Sequence, residues 1–284
     1  MKVVFFGSSR FVVPIIEMLH YSTDLALVVT TEQGNMDPVP FFCKTKKIEF
    51  ISVRKSADLI ANSGISQSMA VLGVVADFGL IIPEQTLKSF AFGTINVHPS
   101  YLPKYRGPTP VQNAILNGDK KTGLSIISLD KHVDHGPIIT QVEEEIKPDD
   151  TSKSLYERLF KIGAQSLQKI VTGYENGQVK LTPQKHEEAT FTKILNKNDG
   201  FFDISRLSTE GELFERMTRA YYPWPGVWAK AKLDENSSEK IVKFLPFWKI
   251  QVEGGKEMNY KDFSNGYPKC DKRLLDFLKK HENN

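Results

Sequence analysis

The chain has 284 residues, of which 40% are apolar and 25% charged, and its formal net charge is +3. This composition excludes a disordered chain and gives room for one large domain or two smaller ones with a sizeable core. The balance of 37 basic against 34 acidic side chains neither demands nor excludes nucleic acid. Cys43 and Cys270 lie far apart and form no motif. A disulfide framework and a cysteine metal site are therefore not expected, and the cytoplasm is the expected compartment. No targeting or membrane segment is expected either. The first apolar run stops at Gly7, and the longest, residues 69–76, falls far short of the roughly 20 residues that span a bilayer.

Residues 3–6 read as a short buried strand closed by Gly7-Ser8-Ser9. Residues 11–19 have helical spacing, with Ser8 or Ser9 as a cap and Pro14 in the first turn. A second strand is expected over 24–30, then a turn-rich loop over 31–40 that holds Gly34, Asn35, Asp37 and two prolines. Strand 49–53, helix 56–62, a strongly apolar strand 69–76, helix 84–89 and strand 94–97 follow. Strands alternating with helices argue an α/β fold with a parallel sheet and right-handed crossovers. Helix 109–117 and strands 123–129 and 138–146 come next. Helix 151–176 carries an apolar stripe of Leu155, Leu159, Ile162, Leu167 and Ile170 and stops at Gly177. A polar stretch, 178–198, leads to a domain boundary near 198–206, giving domains 1–198 and 199–284. The second domain is expected to hold a helix over 208–221, strands over 226–232 and 240–250 around a turn at 234–238, and a closing basic helix over 273–280.

The turn after the first strand has a single Gly7, and Thr31 follows the second strand, so a dinucleotide fingerprint is missing. A tight turn into a helix is the better reading. The segment 94–103, Thr-Ile-Asn-Val-His-Pro-Ser-Tyr-Leu-Pro, is more informative. Asn96 and His98 stand two apart at the end of a strand, so their side chains share a face. Ligands of open α/β sheets bind beyond the carboxyl ends of strands. A loop rich in proline follows, with Pro99, Pro103, Gly107, Pro108 and Pro110, and loses little entropy on ordering. The turn 132–137 supplies Asp134, which could orient His98 and balance its charge or hold a water. A metal held by His98, Asp134 and His135 has no support from spacing, and no metal is expected.

Residues 95–141 resemble the folate-dependent formyltransferases, most closely the methionyl-tRNA formyltransferases. The resemblance is carried by Asn96, His98, Ser100, Tyr101, Leu102 and Pro103, then Arg106, Gly107, Pro110 and Gln112, then Asp134 and Gly136. Residues 6–14, 75–83, 219–228 and 255–263 extend it to both ends of the chain. The resemblance implies a Rossmann-like formyltransferase sheet followed by a small β-rich, reduced barrel-like C-terminal domain expected to bind tRNA. It implies transfer of a formyl group from 10-formyltetrahydrofolate, as co-substrate, to the amino group of methionyl-initiator tRNA in translation initiation. The catalytic residues would be Asn96, His98 and Asp134. The folate would lie against Phe78, Gly79, Leu80 and Ile81, against Ser100, Tyr101, Leu102 and Pro103, and against Val133. A monomer is the expected form.

Departures from the family pattern leave other readings open. Tyr101 replaces a leucine, and Lys131, His132 and His135 bring positive charge beside Asp134. The loop 31–40 has no basic residue, whereas tRNA-formylating members are rich in Arg and Lys there; Lys44, Lys46 and Lys47 come only after it. The C-terminal domain is short, although Lys269, Lys272, Arg273, Lys279 and Lys280 cluster near its end, suited to a solvated face or to phosphate contacts. Trp224, Trp228 and Trp248 are expected in the core more than on a stacking surface. The alternatives are a formyltransferase for a nucleotide-linked amino sugar, a formyltetrahydrofolate hydrolase, and a non-catalytic folate- or RNA-binding protein.

Overall fold

A computed structural model describes residues 1–32, 37–235 and 237–281. The chain divides into two compact units. The first takes Met1–Pro110, Lys121–Glu145 and Tyr156–Lys193; the second takes Val111–Lys120, Ile146–Leu155 and the chain from Ile194 onward.

The first unit is built on a seven-stranded sheet: β1 (Lys2–Phe6), β2 (Asp24–Thr31), β3 (Phe50–Val53), β4 (Leu72–Val75), β5 (Thr94–His98), β6 (Lys121–Ser128) and β7 (Ile138–Glu145). Their order is β3-β2-β1-β4-β5-β6-β7. The first five are parallel, and β6 and β7 run antiparallel to their neighbours. Helices α1 (Val13–Ser22), α2 (Pro38–Lys46), α3 (Ser56–Ala61), α4 (Ser63–Gln67) and α5 (Glu84–Leu87) connect the parallel strands. Val3, Val4, Phe5 and Phe6 are all fully buried, as an unbroken apolar run in a sheet covered on both faces requires.

The chain moves outward from β1 to β3, then returns to β4 on the other side of β1. The carboxyl ends of β1 and β4 therefore mark the reversal where such folds bind ligands. Gly7 permits this approach, because a Cβ there would sit 2.6 Å from the Phe5 ring and 2.7 Å from the Ala76 carbonyl. The register Val75↔Asn96 puts the end of β5 next in line.

Three sequence expectations change. The loop placed over 31–40 becomes helical from Pro38: Asp37 caps α2 by accepting from the Val39 N–H, and prolines fill its first turn. The turn signals thus mark a helix start; Gly34 and Asn35 lie outside the described residues. The strand placed over 69–76 shrinks to β4, since Met69 is exposed with a φ of 49°. The strand placed over 240–250 breaks into β9 (Glu239–Leu245) and β10 (Lys249–Val252), with Phe247 and Trp248 both at positive φ in the turn between them.

In the second unit, β8 (Val227–Lys232), β9, β10 and β11 (Glu257–Asn259) form a four-stranded antiparallel sheet in the order β11-β10-β9-β8. Helices α6 (Gly211–Ala220), α7 (Tyr260–Gly266) and α8 (Lys272–Lys280) complete it. The Phe214 ring meets Phe202, Phe244 and Phe277 edge to face at 4.9, 4.8 and 5.2 Å. The expected basic helix is amphipathic: Leu274, Leu275, Phe277 and Leu278 are buried, while its lysines face solvent. Of the three tryptophans expected in the core, Trp224 is exposed and Trp228 and Trp248 are half-buried. No helix among the described residues is long and apolar enough to cross a membrane.

Candidate functional site

The strand β5 carries Ile95 and Val97 into the core and sends Asn96 and His98 to one face, with Asn96 half-buried and His98 buried. The loop behind it is pinned to β6 and β7. The Ser125 hydroxyl donates to the Ser100 carbonyl (2.7 Å) and accepts from Leu102 N–H (3.0 Å), and Gln141 Nε2 donates to the Leu102 carbonyl (2.8 Å). The loop then turns through Tyr105, at a φ of 63°. That turn aims the Tyr105 carbonyl at His98 Nε2, 3.0 Å away. A carbonyl only accepts, so Nε2 carries a hydrogen and Nδ1 is the nitrogen that can gain or lose a proton.

His98 Nδ1 faces Asp134 Oδ2 at 3.5 Å. The Asp134 carboxylate also accepts from Asn96 Nδ2 on Oδ1 (3.0 Å) and from the Gly107 N–H on Oδ2 (2.7 Å). The three residues singled out from sequence thus meet at one buried carboxylate. Asn96 has a second amide hydrogen, and an N–H at this position can stabilise an oxyanion. The turn that carries Asp134 is tight. Asp134 has a φ of 47°, and a Cβ on Gly136 would lie 1.8 Å from the Ser128 carbonyl oxygen, so only glycine fits there.

Of the positive charges that the sequence brings to this turn, His135 turns to Asp130. His135 Nδ1 lies 2.7 Å from Asp130 Oδ2, and the His135 ring stacks on His186 at 4.0 Å. Burial raises the Asp130 carboxyl, but hydrogen bonds from His135 and the His132 N–H outweigh it and hold the group below the usual carboxylate range. His186 is held below 6.5 by desolvation, then by His135 and Arg106. Arg106 is buried; desolvation lowers its pKa, and Asp134 and Asp130 oppose that shift.

The residues expected to receive folate divide by exposure. Phe78 is a core residue, packed edge to face on Phe6 at 5.6 Å, and its carbonyl accepts from the Ser8 hydroxyl. Gly79 and Ile81 are exposed, and Leu80 is half-buried. Ser100 and Leu102 are interior, with the Ser100 hydroxyl turned to the Lys104 carbonyl (2.7 Å). Pro103 is half-buried, and its carbonyl accepts from the Thr190 N–H. Tyr101 is exposed and borders Gly123 of β6, and Val133 is exposed in the turn that carries Asp134. A cavity of about 600 Å³ lies among Leu87, Lys88, Phe90, Asp130, Lys131 and His132. It adjoins, in the chain, the segments 78–81 and 133. Its wall after β4 was not singled out from the sequence, because α5 is a single turn without periodicity. Among the described residues, no three His, Cys, Asp or Glu side chains are placed to hold a metal ion.

The polar stretch 178–198 supplies groups that no sequence pattern places here. Gln184 is buried between Arg106 and the Asp134 turn, and Thr190 and Thr192 bond the backbone at Tyr105 and Arg106.

The sequence matches the family described as Formyl transferase over residues 1–171. It is 36% identical to the methionyl-tRNA formyltransferase of Roseiflexus castenholzii (strain DSM 13941 / HLO8) over 236 residues, covering 80% of this chain and 74% of that one. It is 30% identical to the methionyl-tRNA formyltransferase of Alkaliphilus oremlandii (strain OhILAs), covering 94% and 96% of the two chains. Among solved structures it resembles a 4-N formyltransferase from Francisella tularensis, with a TM-score of 0.67 at 20% identity over 86% of this chain and 97% of that one. It also resembles an N-formyltransferase from Helicobacter canadensis, solved with folinic acid and dTDP-3-aminofucose, with a TM-score of 0.63 at 17% identity over 91% and 100%.

Proposed function

The chain belongs to the formyl transferase family, and from that premise we propose that it transfers the formyl group of 10-formyltetrahydrofolate to the amino group of methionyl-initiator tRNA. The acceptor follows the relatives that are at least 30% identical over most of both chains. The likeness to the two N-formyltransferase structures, at 20% identity or less, carries the fold alone.

The observation that supports the chemistry is the shared carboxylate. The neutral amine attacks the formyl carbon, a C–N bond forms, and the carbonyl electrons move onto oxygen. The free N–H of Asn96 stabilises that oxyanion. His98 Nδ1 takes the proton that the amine loses, and Asp134, 3.5 Å away, balances the imidazolium charge. Collapse breaks the bond between the formyl carbon and N10, and N10 leaves with the proton that His98 returns. Tyr105 keeps the ring in one orientation throughout, because its carbonyl holds Nε2–H. The folate heterocycle is assigned to the cavity walled by 84–94 and 129–132, which the expected folate segments 78–81 and 133 adjoin in the chain. The basic face of the second unit is assigned to RNA phosphates, and the compartment to the cytoplasm.

The test is formylation of methionine-charged initiator tRNA by 10-formyltetrahydrofolate, with charged elongator tRNA as control. Selective formyl-methionine formation supports the reading. Folate consumption without RNA product points to hydrolysis and overturns it.

A further inference from the structure

We propose that Gln184, in the polar stretch 178–198, is a positioning residue that holds the Asp134 carboxylate in its reactive place. This rests on the formyl-transfer reading above. All the hydrogen-bonding groups of the Gln184 amide are used. Nε2 donates to the carbonyls of Asp134 (2.9 Å) and Gly136 (2.7 Å), on both sides of the tight turn. Oε1 accepts from Arg106 Nε (3.2 Å) and Nη2 (2.7 Å). One buried side chain therefore ties the turn that carries Asp134 to the loop that carries its partners. Gly107, next to Arg106, donates to Asp134 Oδ2, and Tyr105, on the other side, fixes the His98 ring.

The need for such a tie is visible in the backbone. Asp134 at a φ of 47° and Tyr105 at 63° occupy the left-handed region that non-glycine residues avoid unless their surroundings hold them there. The same stretch holds the loop a second way: Tyr105 N–H donates to Thr190 Oγ1 (2.8 Å), Arg106 N–H to the Thr190 carbonyl (2.9 Å) and Thr192 N–H to the Arg106 carbonyl (2.8 Å). Those bonds fix the loop alone. Among the hydrogen bonds from the stretch, the two from Gln184 Nε2 reach the Asp134 turn on either side of its carboxylate. Gln184 touches neither the Asp134 carboxylate nor His98, so it acts through them.

The decisive variant is Gln184→Glu. It keeps the volume and strengthens the contact to Arg106, but replaces two donated hydrogens by oxygen facing two carbonyl oxygens. The expected result is a fall in kcat of about 10–100-fold, the scale on which small misplacements of reacting groups act. KM for both substrates stays within about threefold, and the variant stays folded, its melting temperature lowered by the two carbonyls left unpaired. Unchanged kcat in a folded variant overturns the proposal. So does a loss of kcat that comes with equal weakening of both KM values. Where Gln184→Glu does not fold, Gln184→Asn is the milder arm; its shorter side chain cannot span both carbonyls, and kcat falls again. A catalysis-independent readout separates this proposal from the reading beneath it. Amide hydrogen exchange at Gly107, whose N–H is bonded to Asp134, accelerates in either variant if Gln184 holds the turn. If wild-type protein shows no formyl transfer but Gly107 exchange still responds, the reading fails and the positioning role stands. If wild-type protein transfers formyl and neither Gly107 exchange nor kcat responds, the positioning role fails alone.

Discussion

The first unit and the second bury different things. Around Asp134 the first unit buries polar groups: His98, Arg106, Asp134 and Gln184 are each less than a tenth exposed. Each is bonded to another part of the cluster or to backbone, because an unpaired polar group in such a place costs about 1–3 kcal/mol. The second unit buries rings, with Phe214 in edge-to-face contact with three other phenylalanines. Hydrogen bonds are directional and packing is not, so the first arrangement fixes geometry and the second supplies cohesion. Damage to the two should therefore be read by different instruments, activity in one and stability in the other.

The largest expected effect is in the second unit. Phe214→Ala leaves a ring-sized void and should lower the stability measured by urea unfolding by about 3–5 kcal/mol. A much smaller loss would mean that the aromatic cluster is not the unit's centre. In the first unit, Asn96→Ala and His98→Ala should each lower the rate of formyl transfer by about 10²–10³-fold, roughly 3–4 kcal/mol of transition-state stabilisation. Their circular dichroism should stay close to wild type, and any fall in their unfolding midpoints should be smaller than that of Phe214→Ala. A large shift in midpoint with activity retained would reverse the comparison.

A smaller effect concerns pH. Arg106 Nη2 lies 2.9 Å from His186 Nδ1, and a guanidinium only donates, so the contact needs an unprotonated Nδ1. The folded His186 pKa lies below 6.5, whereas the unfolded chain titrates near that value. The unfolded state thus binds more protons between the two values. The contribution of this contact is full above pH 6.5 and declines as pH falls through the lower folded value. A thermal-melting series should show a shallower acid slope for His186→Gln, which keeps an acceptor for Arg106 and loses the titration. An unchanged slope would exclude His186 as the source. The smallest effect is at the surface: Lys121 and Glu143 pair at 2.6 Å with both side chains exposed, and Lys121→Ala should change neither activity nor the unfolding midpoint measurably.

Much of the site was legible because strand geometry is local. A spacing of two placed Asn96 and His98 on one face, and the Asp134-His135-Gly136 turn announced itself by residue type. Gln184 was illegible for the opposite reason. It lies in an aperiodic stretch 50 residues from Asp134, and long-range hydrogen bonds leave no spacing in the sequence. Pro38 and Pro40 hid a helix start because they also mark turns. The apolar run through Pro246, Phe247 and Trp248 hid a hairpin, because two aromatic residues there adopt a backbone region that their type does not favour. The charge of Lys131, His132 and His135 was visible, but its direction was not: the structure turns His135 onto Asp130.

The most direct measurement is single-turnover formyl transfer from 10-formyltetrahydrofolate to methionyl-initiator tRNA, run side by side with wild type, Asn96→Ala and His98→Ala. Formyl-methionine is expected on the initiator tRNA with wild type and a loss of about 10²–10³-fold with each variant, all three folded. Undiminished transfer by either folded variant would contradict it.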